Sequence, residues 1–224
     1  RLITFPAVGS GDSFFDRSEK LTLFRDEQSI AITTRECLSY QFSLNPRGSE
    51  GLLATISDSN YRTIYFSYEA GRLIRIMDAG GKAYRLAYDS HNRLIDIYCY
   101  VEAIQEEVRL RGYQYDHHDR LIAVYDELSH PFYYEYDSQN RLIKETNRNG
   151  YSFFFEYDED GCCVKTWGQD GMYYRELKYF PSQHKTEVIN SRGQKTIYYW
   201  NNAGIVTMVI DAFQKKEKAV EEEV

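Results

Sequence analysis

No stretch of this chain approaches the roughly 18 consecutive apolar residues that a membrane-spanning helix needs, so no membrane span is expected. A basic excess is also missing. Lys and Arg number 27 against 34 Asp and Glu, a net charge of −7. A protein that grips phosphate backbones works by releasing counterions with clustered positive charge, so no nucleic-acid partner is expected. The N-terminus, RLITFPAVGS, carries no charged-then-apolar leader and starts at Arg1 rather than Met, which reads as a processed or excised piece. Cysteine is scarce. Cys37, Cys99, Cys162 and Cys163 match neither a zinc knuckle nor a disulfide framework, so they are expected as reduced or buried structural thiols. GxSxG, P-loop and HExxH signatures are all missing.

Aromatics are abundant: 21 Tyr and 12 Phe against 3 Met and 4 Pro, a balance that favours pleated, half-buried surfaces and an all-β fold. Apolar residues at 42% and charged residues at 27% fit a folded chain. A repeat then becomes visible. FSYEAGRLIRIMD (66–78), LAYDSHNRLIDIY (86–98), YQYDHHDRLIAVYD (113–126), YEYDSQNRLIKETN (134–147) and FEYDEDGCCVKTWG (155–168) are copies of one unit. Weaker copies are LKYFPSQHKTEVIN (177–190) and YYWNNAGIVTMVID (198–211). With Tyr68, Tyr88, Tyr115, Tyr136, Tyr157, Tyr179 and Tyr199 as anchors, the steps are 20, 27, 21, 21, 22 and 20 residues. The long step contains YCYVEAIQEEVRLRG (98–112), expected as extended strands with a protruding loop although its centre is rich in helix formers.

Each copy carries the local chemistry of a β-hairpin. Aromatics alternate before the turn, as Phe132, Tyr134 and Tyr136 do, which places them on one face. Turn formers follow, either Asp137-Ser138-Gln139-Asn140 or Glu69-Ala70-Gly71. The returning strand brings Leu and then β-branched residues, with Ile74 and Ile76 expected on one face and Leu73 on the other. Gly80-Gly81, Asn149-Gly150, Asp170-Gly171 and Arg192-Gly193 mark the turn into the next copy. A lone hairpin is marginal in water, but hairpins laid side by side satisfy each other's edges. The expected organisation is a strand-rich segment over 1–60 leading into the repeats, an array of about seven hairpins over 61–211, and a charged tail over 212–224, read as a solvated helix or frayed end.

The copies YDSQNRLIKETNRNG, YDHHDRLIAVYDELSH and YEAGRLIRIMDAGG resemble the YD repeat of the Rhs family, whose pattern runs Tyr-Asp, a short turn, Gly-Arg-Leu, an Asp and then Gly. The resemblance spans 61–168, weakens over 169–211, and reaches 1–60 only as a similar strand-rich lead. It implies that Tyr68, Arg72, Leu73, Tyr88, Asp89, Arg93, Leu94, Tyr115, Asp116, Arg120, Leu121, Tyr136, Asp137, Arg141, Leu142, Tyr157 and Asp158 are repeat framework. In that family the hairpins wind into a spiralling β-sheet shell around a C-terminal toxin, in polymorphic toxins of contact-dependent and type VI secretion and in insecticidal toxin complexes. Similar repeats occur in teneurins and bacterial wall-associated proteins.

The implied role is thus a non-enzymatic shell segment with no catalytic residue, metal or cofactor. It would be made in the bacterial cytoplasm and then secreted or delivered in interbacterial competition. The implied partners are the rest of the shell and the enclosed toxin, with self-association through open sheet edges. A cell-surface module that binds carbohydrate or a receptor is the alternative. The PAAR-like spike, the aspartyl self-cleavage segment and the variable toxin domain of such proteins are not in this sequence. Cys162-Cys163 stands where Arg-Leu is usual, and Tyr179-Phe180-Pro181 lacks the Asp.

Chemistry-bearing clusters have a plainer reading as turns. Asp116-His117-His118-Asp119 contains metal-ligand types but occupies the hairpin turn of its copy, where adjacent His residues are expected to point apart. Asp158-Glu159-Asp160 and Glu106-Glu107 are carboxyls without the opposed geometry that glycoside chemistry needs. The repeated Asp residues read as caps of their own turns. The Tyr rows read first as cross-strand framework and second as a stacking surface for sugars or an unfolded guest.

Overall fold

The computed structural model describes residues 3–45, 50–213 and 216–218, the last three as backbone only. It divides into two units, Arg1–Gly112 and Tyr113–Val224. The first contains β1 (Ser13–Asp16), β2 (Leu21–Arg25), β3 (Ser29–Thr33), β4 (Ser39–Leu44), β5 (Gly51–Ser57), β6 (Thr63–Glu69), β7 (Arg72–Met77), β8 (Ala83–Tyr88), β9 (Leu94–Val101) and most of β10 (Glu106–Tyr115). Each of these pairs antiparallel with the one before it. The second unit contains β11 (Leu121–Tyr125), β12 (Pro131–Tyr136), β13 (Leu142–Thr146), β14 (Ser152–Tyr157), β15 (Cys163–Gly168), β16 (Arg175–Phe180), β17 (Lys185–Asn190), β18 (Lys195–Trp200), β19 (Val206–Ile210) and β20 (Lys216–Lys218). From β11 to β20 the pairing is again sequential and antiparallel. The fold is the expected all-β array of hairpins.

The helix formers at 101–108 do not form a helix. β9 and β10 run through them, and only 102–105 turn. Cross-strand pairing of Tyr98 with Arg109 and of Cys99 with Val108 outweighs the weak local preference. In the tail, Lys216–Lys218 is strand paired to β19 rather than helix, and the rest of 214–224 lies outside the described residues.

A bulge recurs at one register. Tyr68 opposes Leu73 while Ser67 opposes Arg75, which leaves Ile74 as an extra residue. Ile95, Ile143, Val164 and Thr207 are extra in the same way. This corrects the expected faces. Ile76 opposes Phe66 and Leu73 opposes Tyr68, and Phe66 and Tyr68 are two residues apart, so Leu73 and Ile76 share a face. The extra residue breaks the alternation that a straight strand would have kept.

Little is fully buried. Among the described residues the core hydrophobics are Leu23, Cys99 and Ala123 alone. All four cysteines are free. Cys99 is buried, Cys163 half-buried, and Cys37 and Cys162 exposed. With so thin a core, hairpin-to-hairpin bonding carries much of the cohesion.

Candidate functional site

The repeating site is a ladder that begins in the turns. Asp89 Oδ1 accepts from the amides of His91 and Arg93, both at 2.9 Å. Asp116 accepts from His118 at 2.8 Å and Arg120 at 3.0 Å. Asp137 accepts from Gln139 at 2.8 Å and Arg141 at 2.9 Å, and Asp158 accepts from Cys162 at 2.8 Å. The fourth residue of each turn adopts the left-handed conformation: Asn92 (φ 65°), Asp119 (62°), Asn140 (63°) and Gly161 (84°). Asn, Asp and Gly are the residue types that tolerate it.

The other Asp oxygen holds an arginine. Nε of Arg93, Arg120 and Arg141 donates to Oδ2 of Asp89, Asp116 and Asp137 at 2.8, 2.7 and 2.7 Å. Burial alone would raise the Asp116 pKa, but the Arg120 guanidinium, with the Arg120 and His118 amides, brings it down to about 2. For Asp89 and Asp137 the amides of Arg93 and Arg141 are the largest lowering influence, partly opposed by burial and helped by the same guanidiniums.

Arg120 and Arg141 then reach the next copy. Arg120 Nη1 donates to the Asp137 carbonyl and Arg141 Nη1 to the Asp158 carbonyl, both at 3.0 Å. The guanidiniums of Arg72, Arg120 and Arg141 lie 5.3, 5.3 and 5.0 Å from the ring centres of Tyr88, Tyr136 and Tyr157. Those tyrosines reach back. Tyr88, Tyr136 and Tyr157 donate their hydroxyls to the carbonyls of Leu73, Leu121 and Leu142 at 2.7, 2.8 and 2.7 Å. Tyr179 does the same to Cys163 at 2.7 Å. Burial raises the pKa values of Tyr136, Tyr157 and Tyr179, which keeps their hydroxyls protonated as donors.

The remaining expected framework residues sit at the edges of this pattern. Tyr68 faces Leu73, and burial raises its pKa. Arg72 opposes Glu69 across a two-residue turn in which Ala70 (φ 50°) and Gly71 (φ 77°) are both left-handed. Leu94 opposes Tyr88, and Tyr115 ends β10.

The turns at Gly80-Gly81, Asn149-Gly150 and Arg192-Gly193 stand where the sequence places them, but sequence reasoning missed the residues that cap them. Asp58, Asp78, Asp126, Asn147, Asn190 and Asn201 cap the other turns with the same pair of amide bonds. The usable signal was an Asp or Asn three residues before a Gly, as in Asp78–Gly81, Asn147–Gly150, Asn190–Gly193 and Asn201–Gly204. The anchor of the last copy also moves. Trp200, not Tyr199, opposes the first residue of its returning strand and precedes the capping Asn201.

Asp116-His117-His118-Asp119 and Asp158-Glu159-Asp160 lie at turns, whereas Glu106-Glu107 opens β10. The His117 and His118 rings lie 3.8 Å apart, centre to centre, tilted by 43°, rather than pointing apart as expected for adjacent His residues in this turn. Among the described residues no three His, Cys, Asp or Glu side chains gather to hold a metal ion. Glu107 is held in a two-pronged contact by Arg85, with Nη2 to Oε2 at 2.6 Å, and Glu106 opposes Val101. Among the described residues no helix is long and apolar enough to cross a membrane.

Similarity to known proteins follows the ladder. The model of the RHS Repeat matches residues 68–97 and 115–152. No curated protein sequence matches the chain. Among solved structures, the complex TcdB2-TccC3-Cdc42 aligns over 91% of this chain at a TM-score of 0.52 and 13% identity. A TcdB2-TccC3 structure without its hypervariable C-terminal region aligns over 90% at 0.53 and 14% identity. A Photorhabdus luminescens Tc holotoxin pore with a substituted TccC3 aligns over 88% at 0.54 and 15% identity. These likenesses establish the fold, and in each case the chain spans 12% of the solved chain's length. The chain thus carries RHS repeats at 68–97 and 115–152, set in hairpins whose Asp, Arg and Tyr recur in register.

Proposed function

We propose that the chain is a non-catalytic segment of the wall of an Rhs-type shell. On this reading it acts by containment, enclosing a C-terminal toxin domain until delivery from the bacterial cell. The observation that carries the reading is the ladder: Asp, Arg and Tyr act together to bind one hairpin to the next, where a solitary catalytic or binding cluster would occur once. The framework Tyr, Asp, Arg and Leu residues of the repeats are, on this view, wall chemistry. The fold shared with the Tc toxin complexes supports the same reading. Type VI secretion and assembly of an insecticidal complex are the two delivery routes it allows.

The test is cryo-electron microscopy of the chain produced with its neighbouring coding sequence. A closed hollow particle that protects downstream residues from added protease is the expected result. An open sheet with freely digested downstream residues would refute containment.

A second reading, recognition of carbohydrate, is favoured by one observation. Tyr65 and Tyr100, 46% and 45% exposed, stand in one cross-strand row with Met77 and Ala83, a half-open aromatic surface of the kind that stacks on sugar rings. Specific binding on a glycan array, lost in Tyr100→Ala, would favour it over containment.

A further inference from the structure

The ladder is not uniform within the second unit: its Arg rungs end at Arg141, and the first seam beyond them is also the one with the shortest strand pairing. At the β11–β12 and β13–β14 seams the Arg rungs are complete: Arg120 and Arg141 each bridge to the next Asp carbonyl, lie over the next Tyr, and are answered by a Tyr hydroxyl. Both seams also have three opposed residue pairs. The β15–β16 seam has only two, Lys165–Glu176 and Thr166–Arg175. Cys162 stands in the Arg position there, so neither the guanidinium bridge nor the cation–π contact exists, and only the Tyr179 hydroxyl bond to Cys163 remains. The connection across this seam adds exposed apolar groups, Met172 at 52% and Tyr173 at 68%, with Asp170, Gly171 and Tyr173 all left-handed.

We propose that the β15–β16 seam is a built-in fault line, the place where the second unit opens first while the hairpins on either side stay closed. The inference stands whether or not the chain is a shell wall, because it concerns only the relative strength of neighbouring seams. β16 and β17 share six opposed pairs and β17 and β18 share five, so the hairpins beyond the gap hold together and separate as a block. An opening between two cohesive blocks differs from end fraying, which would proceed strand by strand from the C-terminus.

Hydrogen–deuterium exchange of the 224-residue chain, read at single-amide resolution, tests this. Amides of Lys165, Thr166, Arg175 and Glu176 are expected to exchange about tenfold faster than those of Lys144, Glu145, Phe153 and Phe154, given one charge-assisted bond and one cation–π contact fewer. Restoring the rung with Cys162→Arg is expected to slow the β15–β16 amides by about fivefold or more. Removing a rung with Arg141→Met is expected to speed the β13–β14 amides by a similar factor and to leave β15–β16 unchanged. Equal exchange at the two seams in the unmodified chain overturns the proposal. So does Arg141→Met without effect at β13–β14, and that variant still decides the matter if Cys162→Arg does not fold.

Discussion

Replacing Tyr157 by Phe removes one oxygen and leaves the ring, its strand and its contact with Arg141 in place. That oxygen donates at 2.7 Å to the Leu142 carbonyl, across the β13–β14 seam. A neutral hydrogen bond contributes about 0.5–1.5 kcal/mol net, and leaving a well-buried acceptor unpaired would add to this. Tyr157 and Leu142 are half-buried, so water can reach the freed carbonyl and the cost should fall near the middle, about 1 kcal/mol. At this chain length that corresponds to a Tm lower by about 2–4 °C. Tyr136→Phe deletes the equivalent bond to Leu121 and should cost the same. The two rungs meet at Asp137, which accepts Arg120 on its carbonyl and Arg141 on its carboxylate, so the double variant should depart from additivity by about 0.5 kcal/mol or more. Urea unfolding followed by circular dichroism measures all three. Tyr133→Phe is the control, since Tyr133 is 46% exposed and should change stability by less than about 0.5 kcal/mol. If Tyr157→Phe and Tyr133→Phe are indistinguishable, the hydroxyls do not hold the seams.

Three further outcomes are expected. Asp89, Asp116 and Asp137 have folded pKa values below the unfolded value of about 3.9, with Asp116 at about 2, so their stabilisation is present above pH 4 and lost as pH falls toward 2; Asp116→Asn should flatten the acid unfolding curve in that window. Native thiol titration should find Cys37 and Cys162 fast, Cys163 slow because burial pushes its thiol up, and Cys99 unreactive until denaturant is added. Gly161→Ala should cost about 1 kcal/mol from its φ of 84° alone, since an added Cβ there meets nothing within 4 Å, and a neutral result by thermal melting would refute backbone strain as the cause.

The period and the Tyr-Asp turns were legible in the sequence because they are local: Asp137 caps amides two and four residues ahead, so both ends of the interaction lie in one short string. The latch was not, because Tyr157 bonds a carbonyl 15 residues back and a backbone acceptor leaves no mark on residue type. The face assignment failed at Leu73 for a related reason, since an extra residue is defined only by what the opposite strand does. Trp200 was passed over for Tyr199 because the pattern was followed by letter, whereas its position is set by pairing with Val206. Asn147 and Asn190 escaped notice because Asn makes the same pair of amide bonds as Asp while departing from the Tyr-Asp pattern.

The rungs at Arg120 and Arg141 are chemically interchangeable: each offers Nη1 to an Asp carbonyl and its guanidinium to a Tyr ring one period on. Tyr115, Tyr136 and Tyr157 are spaced by 21 residues, so excising 121–141 would present Arg120 with Asp158 and Tyr157 in place of Asp137 and Tyr136. Donors and acceptors would still match. Such a polymer can gain or lose whole monomers by unequal recombination without exposing a mismatched joint, so its length is free to drift while its chemistry stays fixed.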